Sequence, residues 1–63
     1  MILIEFNQVI VEGFVKVSIN PETVIKVQPG YMDLPNAKTV IITEAGSVEV
    51  LEDYATVKER LVA

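Results

Sequence analysis

The densest set of groups that could do chemistry is acidic. Glu44, Glu49, Glu52 and Asp53 fall within ten residues, and no Lys or Arg stands among them. Carboxylates this close together are the oxygen donors that Ca²⁺ and Mg²⁺ prefer. The spacing does not reproduce a calcium-binding loop, however, and strand alternation turns Glu49 to the face opposite Val48 and Val50. The expectation is a solvated strand face followed by the acidic start of a helix, with no metal and no cofactor.

Other reactive groups are sparse. There is no His and no Cys, which removes the usual general base, the thiol nucleophile and most zinc ligands. Ser18 and Ser47 have no imidazole to activate them. Lys26 and Lys38 are possible bases in principle, but no neighbouring sequence supplies the burial that would tune them. The glycines, at 13, 30 and 46, are too far apart for a phosphate-binding loop. No catalytic residue is assigned, and the chain is expected not to be an enzyme.

A different kind of candidate lies in residues 29–38. Tyr31, Met32 and Leu34 are large and apolar, yet they sit between Pro29-Gly30 and Pro35-Asn36 in a segment that reads as a surface loop. Two readings are open. The loop folds back as a lid on a small core, or the three side chains form an exposed contact patch for a partner. They are the candidate binding residues.

The size of the chain bears on which partner matters. Its 63 residues make one small domain, burying only about 60% of the surface that the unfolded chain exposes. No disulfide or zinc site is available to supplement the core. An apolar content of 51% and association with another chain are the remaining sources of stability. Homo-oligomerisation and an unidentified protein partner are therefore both expected. The formal net charge of −4 argues against nucleic acid, whose phosphates attract Lys and Arg. No apolar run approaches the ~20 residues of a membrane span. "MILIEF" lacks the basic start and cleavage site of a signal peptide, so the expected location is the cytoplasm.

The elements that would position these groups follow from periodicity. Val, Ile and Thr alternate with polar residues through most of the chain, the pattern of strands. Ile2, Ile4 and Phe6 share one face, and "VIV" at 9–11 either continues that strand or starts another. Glu12-Gly13 is a turn candidate, and Val15, Val17 and Ile19 share the next face. Asn20-Pro21 turns the chain into "TVIKV", and "TVIIT" pairs with "SVEVL". The join "TEAG" suits a type I turn with Gly46 left-handed in a G1 bulge. Thr-Val-Ile occurs at 23–25 and again at 39–41, which fits two strand starts better than a functional repeat. In the tail, Tyr54, Val57 and Leu61 fall on one helical face over about 53–62, with Asp53 as N-cap. The fold class is α+β, mostly β: a small antiparallel sheet or partly open barrel with one short C-terminal helix.

The closing half, "TVIITEAGSVEVLEDYATVKERL", resembles the FlbD/SwrD family of small proteins encoded in bacterial flagellar operons. Thr39, Val40, Ile41, Gly46, Val50, Asp53, Val57 and Leu61 carry the likeness. Asn20, Pro21 and Ile25 match that family's Asn-Pro segment leading into a strand. The resemblance implies a non-catalytic accessory protein and offers no catalytic residues. Similar small domains fit phage-encoded proteins too, which leaves a bacterial or a viral source open.

Together these readings give a small, non-catalytic, homo-oligomeric interaction module with an accessory or regulatory role. The alternatives are a protein that sequesters a small ligand at a subunit interface and a structural assembly subunit. Because no Cys or His is available, chelator and reductant should leave the melting temperature unchanged. A fall of several degrees in EDTA would show that the acidic run binds metal.

Overall fold

The β-branched runs become strands because their stiff side chains pack well on a pleated surface. The computed structural model describes residues 2–62. It contains β1 (Ile4–Ile10), β2 (Gly13–Ile19), β3 (Val24–Pro29), β4 (Thr39–Thr43), β5 (Gly46–Val50) and a helix, α1 (Tyr54–Val62). All pairings are antiparallel, in one open sheet of order β2-β1-β5-β4-β3. This is the α+β architecture expected from the sequence. "VIV" continues the first strand as far as Ile10 and then enters the turn.

The strand order imposes a shape. β2 and β3 are the two edges of the sheet, yet only Asn20 and the short 3₁₀ turn Pro21–Thr23 join them. A flat five-stranded sheet would hold its edges about 19 Å apart, at ~4.8 Å per strand. A 3₁₀ turn advances only about 2 Å per residue, so the sheet must curl until the end of β2 meets the start of β3. Asn20 fixes this corner. Its Oδ1 accepts from the Glu22 N–H at 3.0 Å, and its carbonyl accepts from the Thr23 hydroxyl at 2.7 Å.

Curling gives the sheet a concave inner face. Phe6, Ile19, Ile41 and Val50 are buried there with Val57 of the helix. Ile4, Val17, Val24, Val27, Val48 and Leu61 pack around them, so every strand contributes. Val24 and Val27 reach the same core because β3 carries an irregularity: its register with β4 shifts between Val24 and Lys26. Ile25 takes up the extra position and stands out in solvent. The two Thr-Val-Ile triplets are thus used differently, since Val40 and Ile41 are both fully buried. Of the expected helical stripe, Val57 is buried and Leu61 joins the core, while Tyr54 stays exposed under the Lys58 ammonium, 5.0 Å from its ring centroid. Among the described residues, no helix is long and apolar enough to cross a membrane.

Both hairpins turn in two residues. Val11-Glu12 links the Ile10–Gly13 pair, and Glu44-Ala45 links Thr43–Gly46. Gly46 has the expected positive φ, at 132°, but its ladder runs without a shift from Thr39–Val50 to Thr43–Gly46. The anticipated bulge is therefore absent at Gly46, and the register shift lies in β3. The turn is braced by Thr43, whose hydroxyl donates to the Gly46 carbonyl and accepts from the Ala45 N–H. A Cβ at Gly46 would meet no atom within 4 Å, so the cost of Gly46→Ala is conformational alone. We expect a loss of about 1 kcal/mol, measurable by urea denaturation with unchanged m-value.

Candidate functional site

The convex face of the sheet is where the candidate loop lies. Val9 and Val40 point away from the main core and are nevertheless buried. Val40 pairs directly with Glu49, and Glu49 Oε1 accepts the backbone N–H groups of Met32, Asp33 and Leu34 at 2.8, 3.2 and 3.2 Å. The loop is therefore laid across this face by its backbone. Its neck is closed by the Gly30 N–H on the Lys38 carbonyl (2.9 Å), and its tip by the Ala37 N–H on the Leu34 carbonyl (3.0 Å). Lys38 continues inward by donating its N–H to the Val50 carbonyl at 2.9 Å.

This geometry separates the three candidate residues. Leu34 is half-buried and Ala37 beside it fully so. Tyr31 and Met32 stay outside, 57% and 51% exposed. The lid is made by the loop's backbone with Leu34 and Ala37, and the Tyr31–Met32 pair projects from its outer side.

The acidic run also has a structure that sequence alone did not reveal. Burial pushes the Glu49 carboxyl up, but three N–H donors outweigh it and hold the group below its ordinary range. A carboxylate so held is a poor proton acceptor at neutral pH. Glu52 ties the chain's beginning to its end. The Asn7 N–H reaches its two oxygens at 3.1 and 3.2 Å, and Asn7 Nδ2 donates to Oε2 at 2.8 Å. Arg60 Nη1 lies 3.9 Å from the same oxygen and donates to the Glu5 carbonyl at 3.1 Å. Its guanidinium sits 5.7 Å from the Phe6 ring centroid. Buried Thr39 donates its hydroxyl to the Glu52 carbonyl at 2.7 Å.

Asp53 caps α1 as expected, accepting the Thr56 N–H at 2.8 Å. That bond, with the Thr56 side chain and the Lys38 charge in support, keeps its carboxyl below the usual value. Glu44 alone of the run is simply exposed in a turn. The solvated reading is thus corrected for Glu49 and Glu52, which accept backbone N–H groups from distant segments, while Asp53 starts the helix as expected. Among the described residues, no group of three or more acids is placed to hold a metal ion, and no pocket is found. Hydrogen bonds spanning 15 to 45 positions left no local signature by which Glu49 or Glu52 could have been recognised.

Comparison with protein-family models, curated proteins and solved structures finds no match for this chain.

Removing the acceptor at Glu49 tests its hold on the loop. Glu49→Ala should speed amide exchange at Met32, Asp33 and Leu34 and cost about 1 kcal/mol once solvent screening is allowed for. Glu49→Gln, which keeps a neutral acceptor, should fall between. The folded carboxyl is more acidic than the unfolded one, so its contribution is complete above the ordinary value of 4.5. It fades as pH falls through the lower folded value. The stability difference between wild type and Glu49→Ala should narrow over that acidic window, and a difference independent of pH would refute the role of the charge.

Proposed function

We propose that this chain is a small, non-catalytic protein-interaction module that acts as an accessory or regulatory protein in the cytoplasm. One observation carries the reading. The loop that bears Tyr31 and Met32 is fastened through its backbone, so its position does not depend on burying those two side chains. An aromatic ring and a thioether held outward on a fixed loop lose little conformational freedom when a partner covers them. Tyr is among the residues enriched at binding hot spots, and Met adapts to irregular surfaces. The resemblance of the closing half to the FlbD/SwrD family supports the same class of role, and a bacterial flagellar or phage setting is compatible with it.

Replacing both outer side chains separates contact from lid. Tyr31→Ala with Met32→Ala should leave the melting temperature nearly unchanged. Binding of a protein retained by the wild-type chain on an affinity column should weaken by about 2 kcal/mol or more, the effect of losing a buried anchor. Leu34→Ala should do the reverse and lower stability with little effect on binding by the folded fraction. A double variant that only destabilises would overturn the proposal. Thermal stabilisation by a small molecule, lost on dilution to monomer, would favour the ligand-sequestering alternative.

A further inference from the structure

The sheet consists of two locally paired bodies that share few backbone bonds. β1 and β2 pair along their whole length, from Ile4–Ile19 to Ile10–Gly13. β3 pairs with β4, and β4 with β5, each with the next strand in the chain. Between the bodies, β1 meets β5 at a single registered pair, Gln8–Val50. Side chains complete the junction. Glu52 accepts from Asn7, Arg60 donates to the Glu5 carbonyl, and Phe6 and Ile19 enter the core beside Ile41, Val50 and Val57. All of these contacts hold the first hairpin against residues 39–62, much as a separate partner would be held.

The bodies are linked by the corner at Asn20–Thr23. Asn20 and Val24, on either side of the 3₁₀ turn, already have extended backbone, with φ/ψ of −79°/114° and −76°/127°. Only Pro21, Glu22 and Thr23 turn the chain, and the φ that Pro21 fixes suits an extended link equally well. Converting those three residues to extended backbone sends β2 straight on into β3. The hairpin then leaves its own core, and its place stands open to an identical hairpin.

We propose that two copies of this chain exchange their first hairpins, so that residues 4–19 of each dock on residues 24–62 of the other, with Asn20–Thr23 as the extended hinge. The occupant is fixed by what that place already accepts: Glu52, Arg60 and the core take the same Asn7, Glu5, Phe6 and Ile19 from a second copy. Each lobe keeps the fold described above. Exchange preserves the contacts, so the balance turns on the hinge and on what lies beside it. The closed chain must bend a short link between opposite edges of a five-stranded sheet, and short links invite exchange where longer ones relieve it. The dimer also has apolar surface to cover. Ile4 pairs with Ile19, which sets exposed Leu3 beside the corner, and exposed Ile25 follows just after it. The two extended hinges pass each other at the two-fold axis, where these side chains of both copies meet. Their burial offsets the bonds that Asn20 gives up with the Glu22 N–H and the Thr23 hydroxyl.

Exchange does not involve the Tyr31–Met32 surface. Tyr31→Ala with Met32→Ala should therefore leave self-association unchanged, so the two proposals fail separately. Sedimentation equilibrium at tens of micromolar should show a dimer for the wild-type chain. Because the chain has no Cys, one introduced pair reports which chain supplies the hairpin. Gln8 and Val50 face each other as a non-hydrogen-bonded pair, flanked by the Leu51 N–H on the Asn7 carbonyl. Cα atoms in such pairs lie about 4.5 Å apart, within reach of a disulfide. After oxidation, Gln8→Cys with Val50→Cys should run as a covalent dimer in a denaturing gel without reductant. A closed chain, or a dimer formed through an outer edge, gives an intramolecular bond and a monomer band instead. Inserting Gly-Ser-Gly-Ser between Asn20 and Pro21 lets each hairpin fold back on its own chain, and should raise the dissociation constant about tenfold or more. That insertion leaves the core untouched, so it carries the test even where the change at buried Val50 prevents folding, and circular dichroism checks that each variant is folded. A monomeric wild type, a monomer band from the oxidised pair, or an insertion that leaves the dimer intact would each overturn the proposal.

Discussion

The four residues Asn20–Thr23 constrain everything else in this fold. They join the two strands that stand farthest apart in the sheet, so the sheet cannot be flat. Once it curls, the concave side is narrow enough for one short helix to fill, and Val57 with Leu61 suffices to complete the core. The convex side is then left with Val9 and Val40, which no second helix reaches. The segment between β3 and β4 is fastened over this side through Glu49, the cross-strand partner of Val40. A link too short to span a flat sheet thus accounts for the single helix, the small core and the covering loop. Asn20 and Pro21 hold that link by standard turn chemistry, an amide side chain on the backbone and a fixed φ.

Carboxylates do the work that a larger protein would give to additional core. In a chain with more acids than bases and no disulfide, the simplest expectation is that the charges stay in water. Here Glu49, Glu52 and Asp53 satisfy backbone donors at places where regular secondary structure leaves them unpaired: a loop, the interior side of the first strand and a helix N-terminus. A negatively charged acceptor makes a stronger bond than a neutral one, and three donors on one oxygen fix a loop without any apolar contact. Arg60 complements this arrangement from the helix, touching Glu52, the Glu5 carbonyl and the Phe6 ring at once.

What the sequence revealed and what it hid follow the range of the interactions. Alternation located all five strands, and the period of Tyr54, Val57 and Leu61 located the helix, because those patterns are local. Asp53 was recognisable as a cap for the same reason. The register shift at Ile25 was not: "TVIKV" and "TVIIT" look equivalent, and only pairing with β4 shows that one of them carries an extra residue. Glu49 and Glu52 read as solvated for a similar reason, since their donors lie far away along the chain. Tyr31, Met32 and Leu34 were legible as an unusual apolar group in a loop. Their division into an inward Leu34 and an outward Tyr31–Met32 pair depends on where Glu49 pulls the backbone, which composition cannot tell.

The pairing of β1 with β5 has a consequence for how the protein is made. Asn7 finds its backbone acceptor and donor partners at Glu52 and Leu51, a separation of 45 positions for the Glu52 bonds. Contacts between the two ends of a chain are costly to close and slow folding relative to local ones. On a ribosome adding roughly 5–20 residues each second, the first hairpin waits for several seconds with its inner edge unpaired and Phe6 uncovered. The nascent chain cannot complete its core until α1, with Val57 and Leu61, has emerged. Folding is therefore held back until β5 and α1 are both available, and a chain cut before Gly46 would carry an unpaired β1 edge, ready to aggregate.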